Sequence, residues 1–199
     1  MKLTIIGASG HGKVIADAAL LMGYHEIEFL DDNPAITECG GFPVTGPSRD
    51  CTEKDNDIII GTGNTTNRKR LSEQYADRKF PVIVHPRAAV SDTAKVGRGT
   101  VIMAGAVINP GAIIGRGCII NTSSSVDHDC ILGDYVHVAV GAHLCGNVEI
   151  GSETWIGAGS IVINNVSICG GCIIGAGAVV VRNITEPGTY AGVPAKRLK

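Results

Sequence analysis

From residue 90 onward an aliphatic side chain returns at every sixth position without a miss: Val90, Val96, Ile102, Ile108, Ile114, Ile120, Val126, Leu132, Val138, Leu144, Ile150, Ile156, Val162, Ile168, Ile174 and Val180. Four places after each stands a mostly small residue, such as Ala106, Ala112, Cys118, Ser124, Cys130, Ala142, Thr154, Ser160, Cys172 and Ala178. Glycine often follows the aliphatic directly, as at Gly97, Gly115, Gly133, Gly151, Gly157 and Gly175. A fixed short period marks a stacked, quasi-one-dimensional fold. Six is a multiple of the two-residue strand period, so the aliphatic and the small residue share the inward side of an extended chain. Six is not a multiple of 3.6, and a helix would smear these residues around its surface. Gly, Asn and Asp in the remaining places suit corners. The expected unit is short strand, corner, short strand, corner. A β-sandwich with alternating strands would break the period with irregular loops.

The first half has no such period. Residues 3–6 form a short buried-type strand followed by Gly7-Ala8-Ser9-Gly10-His11-Gly12. Residues 13–22 have helical spacing, with Val14, Ala18 and Leu21 on one face. Residues 26–30 are a second strand ending in Asp31-Asp32, and 57–60 a third that leads to Gly61-Thr62-Gly63-Asn64. A polar helix is expected over 65–77, and 81–84 closes the unit before His85-Pro86. Strands alternating with helices imply a parallel sheet. The organisation expected is an α/β Rossmann-like domain over 1–84 and an all-β hexapeptide-repeat domain over 85–199.

A glycine turn between a strand and a helix lets backbone N–H groups approach a diphosphate, and an acidic residue ending the second strand can hold ribose hydroxyls. Asp31 and Asp32 occupy that place. The spacing is G-x-x-G-x-G, not the dinucleotide G-x-G-x-x-G, and the domain is too short for two nucleotide halves. A nucleotide-sugar is the better-sized guest. A purely structural tight turn is the alternative.

The net charge of −2 and the lack of a basic cluster argue against nucleic acid as the partner. No apolar run reaches the roughly 18 residues of a membrane span, and the first six residues are too short for a signal-peptide core. The 7 cysteines are then expected to be reduced thiols of a cytoplasmic protein.

The repeat resembles that of the hexapeptide acyltransferases, which wind as a left-handed parallel β-helix. Three hexapeptides make one triangular coil in that family, so residues 18 apart stack. The glycine turn, the stretch Asn121-Thr122-Ser123-Ser124-Ser125-Val126-Asp127-His128-Asp129-Cys130 and the tail Ala191-Gly192-Val193-Pro194-Ala195-Lys196 narrow the resemblance. Together they are similar to the acetyl-CoA-dependent N-acetyltransferases of UDP-linked 4-amino-4,6-dideoxy sugars, the bacillosamine type. They are also similar to sialic acid O-acetyltransferases and GDP-perosamine N-acetyltransferases. On this model two outward columns are apolar. One is Val101, Ile119, His137, Trp155 and Ile173; the other is Val107, Ser125, His143, Ile161 and Val179. Both are too apolar for a solvated face. The resemblance implies cover by another subunit in a homotrimer; cover by the chain's own N-terminal domain or C-terminal tail is the alternative.

Acetyl transfer needs a base for the attacking amine or hydroxyl, a donor for the oxyanion and a groove for CoA. His128 sits at a corner, pointing out, between Asp127 and Asp129. The resemblance makes it the general base and Asp129 its helper, in a place where relatives carry Glu. The resemblance implies substrate contacts at Ser9, Gly10, His11, Asp32 and Gly63; Asp31 joins them by its place beside Asp32, and Asn121, ahead of the His128 loop, is expected to orient the sugar. Gly146, Ala158 and Ala176 are the implied acetyl-CoA contacts, and His137, the odd polar member of its column, is expected to contact the cofactor or acetyl group, an interface histidine bonded to a backbone carbonyl being the alternative. Gly146 stacks one coil beyond His128. His137 lies half a coil from His128 on another side of the prism, so a site using both lies between subunits. Lys196, Arg197 and Lys199 could meet the CoA phosphates or be solvated.

Two other classes compete. One is O-acetylation of a sialic acid, or N-acetylation of GDP-perosamine, which the sequence does not separate. The other is a non-catalytic β-helix scaffold, or a metal enzyme of the carbonic anhydrase type using His128, His137 and His143. Cys169 and Cys172 form a C-x-x-C with one residue expected outward and one inward, and no second pair exists, so no metal is expected.

Overall fold

The computed structural model describes residues 1–52 and 56–198. The chain opens with β1 (Lys2–Ile6), α1 (Gly10–Leu21), β2 (Glu26–Leu30), β3 (Glu38–Cys39), β4 (Phe42–Gly46), β5 (Asp57–Ile60) and α2 (Thr65–Gln74). These build a sheet of order β3-β4-β2-β1-β5, parallel except for the β3–β4 pair. Helix α1 starts three residues earlier than its spacing suggests. Ser9 is its N-cap, and the hydroxyl accepts from the Gly12 N–H at 3.2 Å. Gly10, His11 and Gly12 are thus the first turn of a helix and not a loop. The buried face of α1 is Ile15, Ala16, Ala18 and Ala19, while Val14 and Leu21 are exposed.

β6 (Ile83–Val84) does not close this sheet. It pairs in parallel with Val101–Ile102 and starts the solenoid. From there to Val179–Val180 each strand is two residues long, and successive coils pair at a spacing of 18, as Ile120 does with Val138 and Val138 with Ile156. Three sheets result, of six, five and eight strands, parallel except that the last ends in the antiparallel Thr189–Ala191 and Lys196–Arg197 pair. The aliphatic series lines the interior, with Ile102, Ile120, Val126, Val138, Ile156 and Val162 wholly buried. The small series fills the space beside it, and Thr100, Ser124, Thr154 and Ser160 hide their hydroxyls by donating to carbonyls. The residue before each small one has positive φ from Gly99 through Gly177, at a spacing of six. Glycine fills most of these corners, but Ser123, Asp129, Tyr135, Asn147, Glu153 and Asn165 take the same conformation.

The two parts share one core. Leu3, Ile5, Ile15 and Ala19 pack with Ile83, Val101, Met103 and Ile119. This corrects the expectation that another subunit covers the whole first outward column. Val101, Ile119 and His137 are buried under the chain's own α/β unit, and only Trp155 and Ile173 remain open. In the second column, His143 and Ile161 are exposed.

Candidate functional site

His128 stands at the corner after the Ser125–Val126 strand. The preceding Asp127 carboxylate accepts from Asn109 Nδ2 at 2.6 Å and from the His128 N–H at 2.7 Å, which holds it below the usual carboxylate range. Asp129 adopts φ +58°, and its N–H donates to the Pro110 carbonyl. That turn aims its Oδ2 back at His128 Nδ1, 2.9 Å away. The hydrogen bond to Asp129, helped by the charge of Asp127, raises the imidazole pKa above 6.5. With Nδ1 held by a carboxylate, Nε2 carries the lone pair. It lies over Gly146, where any Cβ would overlap it. The His128 side chain is otherwise open to solvent. This is the geometry of a base whose tautomer is fixed by an acid.

A second cluster lies where the α/β unit meets the solenoid. His137 is 5% exposed. Its ring is 4.7 Å from that of Trp155 and 6.5 Å from that of His11 on α1. Asn121 Nδ2 sits 3.1 Å from His137 Nε2. Arg68 of α2, 2% exposed, reaches across to the solenoid: Nε donates to the Gly117 carbonyl, one terminal nitrogen to the Tyr135 carbonyl, the other to those of Thr62 and Gly63. Burial first, and then the Arg68 charge, push His11 down to about 4; the same causes and His11 itself push His137 down to about 3. Both rings are neutral at physiological pH. His11 Nε2 and His137 Nδ1 are buried with no hydrogen-bond partner.

The carboxylates at the end of β2 border a cleft of about 720 Å³, lined also by Ile36, Ser48, Arg49 and Arg70. A second hollow of about 200 Å³ shares Asp31, Asp32, Ser48 and Arg70 and extends to Gly7, Ser9 and Thr62. Asp31 accepts from the Ala8 and Asn33 N–H groups, which pins the glycine turn. Asp32 accepts from the Ser48 hydroxyl and N–H, and these bonds lower its pKa. Ser9 donates to the Gly61 carbonyl at 2.6 Å. Space is open above Gly10 and Gly63, whereas a Cβ on Gly12 would strike the Gly7 carbonyl. Gly12 therefore serves close packing of the turn, and Gly10 and Gly63 leave room for a guest.

Other expected residues are scattered. Ala158 and Ala176 are exposed and stacked on a neighbouring corner, joined by the Gly177 N–H to Ala158 carbonyl bond. That corner is separated from the corner of His128 by the face that carries Ser125 and His143, themselves 2.8 Å apart through Oγ and Nδ1. Arg197 is engaged by Glu186 at 2.7 Å, and Lys199 lies outside the described residues. The expectation that Cys169 points outward, away from the inward Cys172, is wrong: Cys169 is half-buried against the solenoid core, and the two sulfurs are 3.6 Å apart. Among the described residues no group of three or more His, Cys, Asp or Glu is placed to hold a metal.

Sequence reasoning missed Arg68, Asn109 and Arg70. For Arg68 the signal was weak: an arginine in a polar helix is ordinarily solvated. Asn109 was findable, since it stands 18 residues before Asp127.

Residues 2–75 match the PglD N-terminal domain, and 93–126 match the bacterial transferase hexapeptide (six repeats). The acetyltransferase domain of PglB from Neisseria gonorrhoeae, solved in complex with acetyl coenzyme A, is 43% identical, with a TM-score of 0.96 over 99% of this chain and 98% of that one. The chain belongs to the hexapeptide-repeat acetyltransferases. PerB from Caulobacter crescentus, solved with CoA and GDP-perosamine, is a 34% identical member with a TM-score of 0.94 over 100% of this chain and 98% of the other. A curated member, UDP-N-acetylbacillosamine N-acetyltransferase from Bacillus subtilis, is 39% identical over 110 residues, which is 51% of this chain and 51% of that protein. The chain thus matches about half the length of that curated relative.

Proposed function

We propose that the protein transfers an acetyl group from acetyl-CoA to the 4-amine of a UDP-4-amino-4,6-dideoxy sugar. The observation that carries this reading is the His128–Asp129 pair, an imidazole with a free Nε2 and a carboxylate-bound Nδ1. The amine nitrogen attacks the thioester carbonyl and its N–H proton passes to His128 Nε2. The tetrahedral intermediate then collapses, the C–S bond breaks, and the CoA sulfur takes the proton back from the imidazolium. No covalent acyl-enzyme is needed. The cleft over Asp31, Asp32 and Arg70 receives the nucleotide, and Ser9, Gly10, His11 and Gly63 line the path from it. His137, Gly146, Ala158 and Ala176 face the donor.

The assembly in this reading is a homotrimer. Trp155, Ile161 and Ile173 are exposed on faces that a neighbour would cover. A neighbour's His128 would then complete a site begun by His11 and His137. No helix among the described residues is long and apolar enough to cross a membrane, and the 7 free cysteines suit a reducing cytoplasm.

The test is thiol release from acetyl-CoA with three acceptors: a UDP-4-amino-4,6-dideoxy sugar, GDP-perosamine and a sialic acid. Turnover confined to the UDP-amine is expected. Turnover on GDP-perosamine or sialic acid alone would move the acceptor class and overturn the UDP-sugar reading.

A further inference from the structure

His137 carries a question that its burial alone does not answer: which of its nitrogens holds the proton. Asn121 decides it. Asn121 Oδ1 accepts from the Thr122 backbone N–H at 2.8 Å, so the amide cannot be turned over without losing that bond. Its Nδ2 then faces His137 Nε2 as a donor. A donor opposite Nε2 requires a lone pair there, and in a neutral imidazole the proton must sit on Nδ1. That Nδ1 is buried and unpartnered. A buried N–H without an acceptor costs stability unless something else uses it.

A second residue acts in the same direction. Arg68 is a buried cation whose hydrogen bonds all go to backbone carbonyls, at Gly117, Thr62, Gly63 and Tyr135, so no carboxylate neutralises it. Its positive charge opposes a second cation in the same pocket. The titratable groups acting on His137 are Arg68 from α2 and His11 from α1; Trp155 and Asn121 add none.

We propose that Asn121 is a positioning residue that holds His137 as a hydrogen-bond donor with its proton on Nδ1. On the acetyltransferase reading, on which this role rests, the acetyl pocket is then bordered by a histidine that keeps one tautomer. A donor that never titrates also leaves His128 as the group that sets the acid limb of activity.

The test is heteronuclear NMR of the full chain labelled with 15N in histidine rings, with His137 assigned by the loss of its signals in His137→Phe. In the wild type His137 should show a protonated Nδ1 and a bare Nε2, unchanged between pH 5.5 and 8. In Asn121→Asp a carboxylate faces Nε2, and the proton should move to Nε2. A wild-type ring protonated on Nε2, or one titrating near pH 6.5, would overturn the proposal, as would an Asn121→Asp spectrum identical to wild type. None of these readouts depends on turnover. A protein inactive on every acceptor but with the expected spectra would lose the acetyltransferase reading and keep the tautomer.

Discussion

The Nε2 edge of His128 lies directly over the Cα of Gly146, one coil further along the solenoid. The stacking is backed by the main chain, since the Asn147 N–H donates to the His128 carbonyl at 2.9 Å. Glycine at 146 is therefore a condition on where the imidazole stands, although its backbone angles need no glycine.

Gly146→Ala should move the ring and not unfold the protein. A methyl there forces a shift in His128, and misplacing a base by about an ångström costs on the order of 100-fold. The check is kcat for acetyl transfer beside the circular dichroism spectrum. A variant within two-fold of wild type would remove the ring from its assigned place.

The pH profile should report the His128–Asp129 bond. A base works unprotonated, so activity falls as pH drops through the folded pKa, which lies above 6.5. The hydrogen bond to Asp129 is the largest cause of that rise. Asp129→Asn should carry the acid limb of kcat/KM to lower pH while the plateau falls about ten-fold. An unmoved limb would show that Asp129 does not tune the ring.

Sharing of the site between subunits is testable by mixing. His128→Ala and His137→Ala should each be nearly inactive alone. If His128 of one subunit serves His137 of the next, random co-assembly of the two variants restores intact sites at about a quarter of positions, the product of two one-half probabilities in a cyclic trimer. Co-expressed variants that show no recovery would place the site within one chain or dispose of His137.

The interior of the solenoid should be sensitive to single truncations. Ile120 is wholly buried between coils, in register with Ile102 and Val138. Ile120→Ala should cost about 2–5 kcal/mol, lost contacts and cavity together. Chemical denaturation followed by circular dichroism measures it, and a loss under about 1 kcal/mol would mean the coil collapses around the gap.

The solenoid was legible because its period states the inward face directly, residue by residue, from Val90 to Val180. The same arithmetic put Gly146 beside His128. What it could not show was contact between distant parts. Val101 and Ile119 are apolar and outward in the repeat, yet nothing in their spacing says that Ile15 and Ala19 of α1 cover them. Nothing in the polar sequence of α2 marks Arg68 as the residue that is buried and bonded to the Gly117 and Tyr135 carbonyls. The corner series also held unused information. Every sixth residue from 99 to 177 is left-handed, and where glycine is absent the substitute is often engaged: Asp129 with His128, Glu153 with Lys69, and Tyr135 through its carbonyl with Arg68.

The most direct measurement is kcat/KM for acetyl transfer to a UDP-4-amino-4,6-dideoxy sugar, wild type against His128→Ala, at a pH above the imidazole pKa. A general base is worth about 10²–10⁴-fold, and a loss in that range with unchanged acetyl-CoA binding is the predicted result. A His128→Ala protein within a few-fold of wild type would contradict the account, because the corner would then supply no base.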